Sequence, residues 1–422
     1  MSQSRSTAAS RSAAQGRTKA TTTRLTAAVA AAGALSLIPV AAAPAAHAET
    51  ASDFYAAPSP LPAAAPGTLI RSQSATLGGL NVPNTAWTVM YHSTDADEEN
   101  IAVTGTVVVP AAAWTGSGAR PFVNLAPGTQ GLGPQCAPSK QFVAGTEYES
   151  VPVNAALAKG WGVVITDYEG YTTGDTHTYV NGPSMAHTVL DLSRAAAGVP
   201  GAGVTANTPW TIWGYSQGGG AAGWASALQE DYAPEMNLLG TAAGGIPATL
   251  HGVGEFLDGN VGAGFMLDAL VGLAAAYPDQ VPLDTMLNAT GAAAVAQAKE
   301  LCTVDTLAAF AFDELSDWTV DGDSFAELAT DPEIDAVLDA NDLAAAPAPT
   351  VPVLQYHTLT DEIVAYPQAA ALQRAWCRAG VRTSFVPVAG GHATAEMAAI
   401  PMAITWLDRR FKGRALVNAC VG

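Results

Sequence analysis

Pro209–Gln229 reads PWTIWGYSQGGGAAGWASALQ, and three local signals follow one another in it. Trp210–Trp213 is a short apolar run of the kind that forms a buried strand. Gly214-Tyr215-Ser216-Gln217-Gly218 is a G-x-S-x-G pentapeptide, and the Ala/Gly-rich stretch to Gln229 reads as a helix. Strand, tight turn and helix in that order are the context of a nucleophile elbow, in which Ser216 is held in a strained conformation with its hydroxyl above a sheet. Gly214 and Gly218 fit because a side chain at either position would meet a neighbouring strand or helix. The bland alternative, a glycine turn with no chemistry, lacks the flanking strand and helix that are present here.

Upstream, strand and helix alternate. Thr85–Met90 and Ile101–Val109 read as an antiparallel pair joined by a polar turn through Asp95–Asn100. Phe122–Leu125 is a strand ending in Ala126-Pro127-Gly128-Thr129-Gln130-Gly131. Ala155–Ala158 belong to a helix, Gly162–Thr166 form a buried strand, and Ser184–Ala197 has helical spacing. Downstream, Ile246 to about Asn341 loses β-branched runs and becomes Ala- and Leu-rich. Helical pieces at 264–276, 292–301 and 306–315 mark it as an inserted cap or lid. Strand character returns at Pro352–His357 and Arg382–Val388, with helices at Ala369–Ala379 and Met402–Arg410. This order predicts a mainly parallel, doubly wound α/β sheet: a core over 49–245 and 342–422, interrupted by a helical cap over 246–341.

Residues 1–48 read as a signal peptide, with five basic residues in front, an apolar run Leu25–Val40 and Ala46-His47-Ala48 for cleavage. No later stretch is long and apolar enough to span a bilayer. None of the 37 acidic residues and five of the 18 basic ones precede position 49, so the 374 residues that follow carry −24. Such a surface argues against nucleic acid and anionic membranes as partners; contact with lipid interfaces would be transient. Cys136, Cys302, Cys377 and Cys420 in an exported chain suggest two disulfides, with three pairings open. Their spacing lacks paired C-x-x-C, so no metal site is expected. Asp321-Gly322-Asp323-Ser324 lacks the rest of a calcium loop.

A serine hydroxyl needs a histidine to take its proton and a carboxylate to orient that histidine, and after an elbow the order is Ser, acid, His. His251, His357 and His392 follow Ser216. His392, in Ala389-Gly390-Gly391-His392 after the last strand, is preferred, because the carboxylates that precede the other two come from the cap. Asp361, the first carboxylate after Pro352–His357, is the expected acid, with Glu362 facing the other way and Asp167 structural. The oxyanion donors are expected to be the N–H of Gln217 and that of Thr129, with Gln130 as its rival. Phe256, Phe265, Met266, Leu267 and Leu270 would line an acyl pocket or, equally well, form ordinary helix core.

Together these motifs resemble the secretory lipase family of the Candida antarctica lipase A type, with actinobacterial members. Phe54-Tyr55 with Pro66–Ile70, Cys136-Ala137-Pro138-Ser139, Asp167-Tyr168-Glu169-Gly170, Leu190-Asp191 with Arg194–Ala196, Gly214–Gly219, Asp361–Tyr366 and Gly391–Glu396 carry the likeness. The resemblance implies an α/β-hydrolase fold with a helical lid, acting on carboxylic esters including triacylglycerols and using no cofactor. It also implies Ser216 as nucleophile, Asp361 as acid and His392 as base, and the disulfides Cys136–Cys302 and Cys377–Cys420. The expectation is a secreted lipase or esterase working through an acyl-enzyme. The same triad would serve an acyltransferase or a polyester or peptide hydrolase. A non-catalytic lipid-binding protein would lack a triad member, and none is missing.

Overall fold

The computed structural model describes residues 54–171, 174–416 and 420; the expected leader, 1–48, lies outside the described residues. The described strands form one sheet: β1 (Leu69–Ala75), β2 (Asn84–Thr94), β3 (Asn100–Pro110), β4 (Phe122–Ala126), β5 (Gly162–Thr166), β6 (Trp210–Tyr215), β7 (Leu238–Gly244), β8 (Val353–Thr358) and β9 (Thr383–Val388). Their order across the sheet is β1-β2-β3-β5-β4-β6-β7-β8-β9. The first three strands pair antiparallel, as does β3 with β5. From β5 through β4, β6, β7 and β8 to β9 every pair is parallel. Strands β4, β5 and β6 are buried along their whole length, which is why each reads as a short continuous apolar run rather than an alternation.

Helices α1 (Pro138–Ala144), α2 (Ser150–Ala158), α3 (Gly182–Ala196) and α4 (Gln217–Tyr232) are threaded between the strands up to β7. Between β7 and β8 the chain is helical: α5 (Leu250–Leu257), α6 (Ala263–Ala276), α7 (Leu283–Met286), α8 (Ala289–Ala298), α9 (Thr303–Phe310), α10 (Phe325–Leu328) and α11 (Pro332–Ala340). Then follow α12 (Tyr366–Arg378) and α13 (His392–Phe411). One face of the sheet packs on α3, α4 and α12 through Val189, Leu192, Ala222, Leu372 and Trp376. The other packs on α2 and α13 through Val153, Leu157, Ala403 and Leu407. A third apolar cluster gathers the helices between β7 and β8 and takes in Tyr179, Val180, Ile363 and Val364 from the rest of the chain.

Among the elements that differ from the sequence reading, three matter most for the sheet and the site. Strands β1 and β7 were not anticipated: β1 carries polar residues on both faces and β7 reads LLGTAAG, almost without β-branched residues. Helix α13 begins ten residues earlier than expected, at His392, and carries Pro401 in its interior.

Candidate active site

The turn after β6 is built by close backbone approach. Ser216 has φ 57° and ψ −125°, a conformation that costs on the order of 1–3 kcal/mol and persists only where the surroundings fix it. Here its N–H donates to the Gly244 carbonyl at 3.0 Å and its own carbonyl accepts from Gly220 at 3.0 Å. A Cβ on Gly214 would lie 2.1 Å from the Gly218 carbonyl oxygen, and one on Gly218 would lie 2.1 Å from that of Ala126. Both glycines are therefore dictated by the turn's geometry.

Asp361 follows β8 and His392 opens α13. The Nδ1 of His392 lies 2.9 Å from each carboxylate oxygen of Asp361. Asp361 also accepts the N–H groups of Ile363 at 3.0 Å and Val364 at 2.7 Å, and His357 Nε2 stands 3.1 Å from it. Burial opposes charge on this carboxyl, but the His357 and His392 hydrogen bonds and the Val364 N–H outweigh it and hold Asp361 well below the ordinary carboxylate range. An ionised Asp361 keeps the proton of neutral His392 on Nδ1 and leaves Nε2 as the basic atom. That Nε2 is buried and without a hydrogen-bond partner among the described residues, so no bond to Ser216 is made in this conformation. The ring nonetheless sits at the elbow. Its centroid is 5.0 Å from that of Tyr215, whose hydroxyl donates to the His392 carbonyl at 2.9 Å. Its Cε1 is 3.2 Å from where a Cβ on Gly245 would stand, one residue past the carbonyl that holds Ser216.

Glu362 does not turn away as expected. Its Oε2 accepts the N–H of His392 at 2.9 Å, fixing the start of α13. Asp167 is structural: it takes the N–H of Ser139 at 2.7 Å and the Thr104 hydroxyl at 2.6 Å. His251 is on α5, where its Nε2 pairs with Asp335 and Asp339 of α11 at 3.2 and 3.4 Å.

Gln217 opens α4, so its N–H has no intrahelical acceptor. Its side-chain amide donates to His177 Nε2 at 3.3 Å. Burial pushes His177 down to about 4, against the pull of the Glu169 carbonyl, so it is a neutral ring, and it stacks on Tyr171 with centroids 4.1 Å apart. In the loop after β4 the Gly128 N–H is taken by Glu149 at 2.8 Å. The Thr129 hydroxyl pairs with that of Tyr179 at 2.7 Å. The backbone N–H groups of Thr129 and Gln130 have no hydrogen-bond partner among the described residues. Burial drives the carboxyls of Glu147 and Glu149 up, and the Glu149 charge adds to the rise at Glu147. His177, Tyr179, Glu147 and Glu149 carried no sequence signal, because their roles depend on how loops converge.

Above Ser216 opens an apolar cavity. It runs from Ser216, Gln217, Tyr179 and Val180 into a wall made by α5, α6, α10, α11 and Ile363-Val364. This slot holds about 930 Å³ free of atoms when its open mouth is counted. Phe265, Met266 and Leu270 line it as the sequence suggested. Phe256 and Leu267 do not; Leu267 is fully buried among the helices. Val180 lines the slot at φ 59°, an uncommon conformation for a β-branched residue.

All four cysteines are paired, Cys136 with Cys302 and Cys377 with Cys420. Among the described residues no helix is long and apolar enough to cross a membrane.

Residues 137–419 match a family model described as secretory lipase. A secreted triacylglycerol lipase of Malassezia globosa is 29% identical over 87% of this chain and 80% of its own length. Another, of Malassezia furfur, is 31% identical over 75% of this chain and 84% of its own. The crystal structure of Candida antarctica lipase A superposes with a TM-score of 0.78 at 25% identity, covering 87% of each chain.

Proposed function

The chain belongs to the secretory lipase family and is a carboxylic ester hydrolase of the α/β-hydrolase fold; from that premise we propose a secreted serine lipase acting on long-chain acyl esters, triacylglycerols first. The observation that carries the serine mechanism is the buried line from Asp361 through His392 Nδ1 to a free Nε2 beside the Ser216 elbow. Ser216 Oγ attacks the ester carbonyl carbon while His392 Nε2 takes its proton. The resulting oxyanion meets the N–H groups of Gln217 and Thr129. Collapse breaks the C–O bond, the alcohol leaves with the proton from His392, and water then repeats the sequence to free the acid.

The apolar slot that begins at Ser216 supports an alkyl chain as the acyl group. The helices between β7 and β8 form most of its wall, and we read them as a lid over residues 246–341. The two disulfides, the apolar leader and the secreted relatives support export. The test is a long-chain alkyl phosphonate. It should attach to Ser216, located by peptide mass spectrometry, and Ser216→Ala should neither be labelled nor hydrolyse a triacylglycerol emulsion. Unlabelled wild-type protein, or hydrolysis undiminished in Ser216→Ala, would remove the serine mechanism.

A further inference from the structure

The loop Pro127–Gly131 is held from two sides, and one of them is the helical segment between β7 and β8. Three consecutive residues there, Leu301-Cys302-Thr303, clamp it. Thr303, the first residue of α9, donates its N–H to the Gln130 carbonyl at 3.1 Å and its hydroxyl to the Thr129 carbonyl at 2.5 Å. The Leu301 carbonyl accepts the N–H groups of Leu132 and Gly133, both at 3.1 Å. Cys302 forms an isolated antiparallel bridge with Gly131 and a disulfide with Cys136. The approach is so close that a Cβ on Gly131, which has φ 90°, would lie 2.4 Å from the Leu301 carbonyl oxygen and 2.6 Å from Cys302 Cα.

From the other side, the Glu149 carboxylate holds the Gly128 N–H at 2.8 Å and the Tyr148 hydroxyl donates to the Thr129 carbonyl at 3.1 Å. Thr129 thus has its carbonyl held twice and its hydroxyl once, by Tyr179, and its N–H left over. A donor so constrained cannot swing toward a competing acceptor, which is the preorganisation that oxyanion stabilisation requires.

We propose that Thr303 is a positioning residue: its hydroxyl and N–H, kept in place by the Cys136–Cys302 disulfide, fix residues 129 and 130 so that the Thr129 N–H stays aimed at the acyl oxygen. The inference rests on the reading of Ser216 and Thr129 given above. It makes the helical segment a part of the catalytic apparatus as well as a cover over the acyl slot.

The experiment compares Thr303→Val, which keeps the shape and loses the hydroxyl, with Thr303→Ser, which keeps the hydroxyl. Each is assayed on a soluble short-chain ester and on the matching thionoester, whose larger, softer sulfur anion gains less from an oxyanion hole. Thr303→Val should lower kcat on the ester about tenfold, a fraction of what deleting a whole donor costs, with KM within about twofold. The ester-to-thionoester ratio of kcat/KM should fall with it. Thr303→Ser should restore both, and thermal melting should stay near wild type. If Val impairs folding, Thr303→Ala carries the same expectation. Wild-type kcat and ratio in Thr303→Val, or a lower kcat with an unchanged ratio that Ser does not restore, overturns the role of Thr303. Ser216→Ala, run alongside, separates the two readings: activity there removes the serine mechanism itself, whereas an inactive Ser216→Ala beside an unaffected Thr303→Val removes only the positioning role.

Discussion

Asp361 and Glu362 are adjacent carboxylates that reach the same histidine in different ways. Asp361 bonds the ring of His392 and Glu362 bonds its backbone N–H. The first fixes which ring nitrogen is basic; the second only fixes where α13 starts. Asp361→Asn should therefore lower kcat on an ester about 10³–10⁴-fold with little change in KM, the cost of the wrong tautomer. Glu362→Gln, measured in the same steady-state assay, should stay within about tenfold, because an amide oxygen still accepts the N–H. Asp361 also has a pH signature. Its folded-state value lies below the unfolded 3.8, so its stabilisation is present above that pH and is lost as pH falls through the folded value. The gap in urea midpoint between wild type and Asp361→Asn should narrow from pH 6 to pH 3 without closing, because pH 3 is below the unfolded value but still above the folded one. Equal differences at both would mean that the carboxylate is not what holds this loop. His357 shows how far a single residue can be read from sequence. It stood out as a strand-end histidine and was set aside as the base; it proves to brace Asp361 from below, a role visible only once β8 and the loop after it are folded.

At the scale of elements, the turn between β6 and α4 tolerates no side chain at Gly218, because the obstacle is the Ala126 carbonyl on the neighbouring strand and not a movable side chain. Gly218→Ala should destabilise the fold by at least about 2 kcal/mol in denaturant unfolding and abolish esterase activity. Helix α6 contributes Phe265, Met266, Ala269, Leu270 and Leu273 to the slot. Leu270→Trp should obstruct it and lower kcat/KM for p-nitrophenyl palmitate relative to the butyrate about tenfold or more, an effect of 1–3 kcal/mol per misfit group. An unchanged ratio would place the acyl chain elsewhere. This elbow was legible in the sequence because strand, glycines and helix are all local. The parallel strands β4, β5 and β6 were legible because burial on both faces makes them continuous apolar runs. Strand β7 was not: a Cβ on Gly240 would lie 2.9 Å from the Trp406 ring of α13 and one on Gly244 2.2 Å from the Tyr356 ring, so its small residues answer a tertiary demand that erases β propensity. The start of α13 was hidden by Gly390, Gly391 and Pro401, which read as breakers when taken alone.

At the scale of the whole molecule, the chain is strongly acidic, with 37 Asp and Glu against 18 Lys and Arg, and one of those carboxyls is entombed. Asp268, on α6, is fully buried, and neither of its oxygens has a hydrogen-bond partner among the described residues. Its neighbours one turn away are Gly264 and Gly272, whose missing side chains let α6 press against Thr306 and the Tyr179 backbone. The Tyr171 and Tyr179 hydroxyls feel the Asp268 charge. Burial therefore drives its carboxyl well above the ordinary value of 3.8. A group with a raised folded-state pKa gives full stability below its unfolded value and loses it as pH rises through the folded value. Ionisation would leave an unpaired charge inside the helical segment, which costs more than the roughly 1–3 kcal/mol of an unmet neutral group. Parting α6 from Tyr179 and Thr306 would let water in and relieve that cost. Asp268→Leu should accordingly be closest to wild type in melting temperature near pH 4, and its advantage should widen as pH rises from there, since leucine has nothing to ionise. Hydrogen exchange across residues 263–276, expressed as protection relative to the base-catalysed intrinsic rate, should show protection falling with pH in wild type and holding in the variant. A pH-independent offset between the two proteins would mean that Asp268 finds a partner or water in solution, and that the loosening of the helical segment at high pH has another origin.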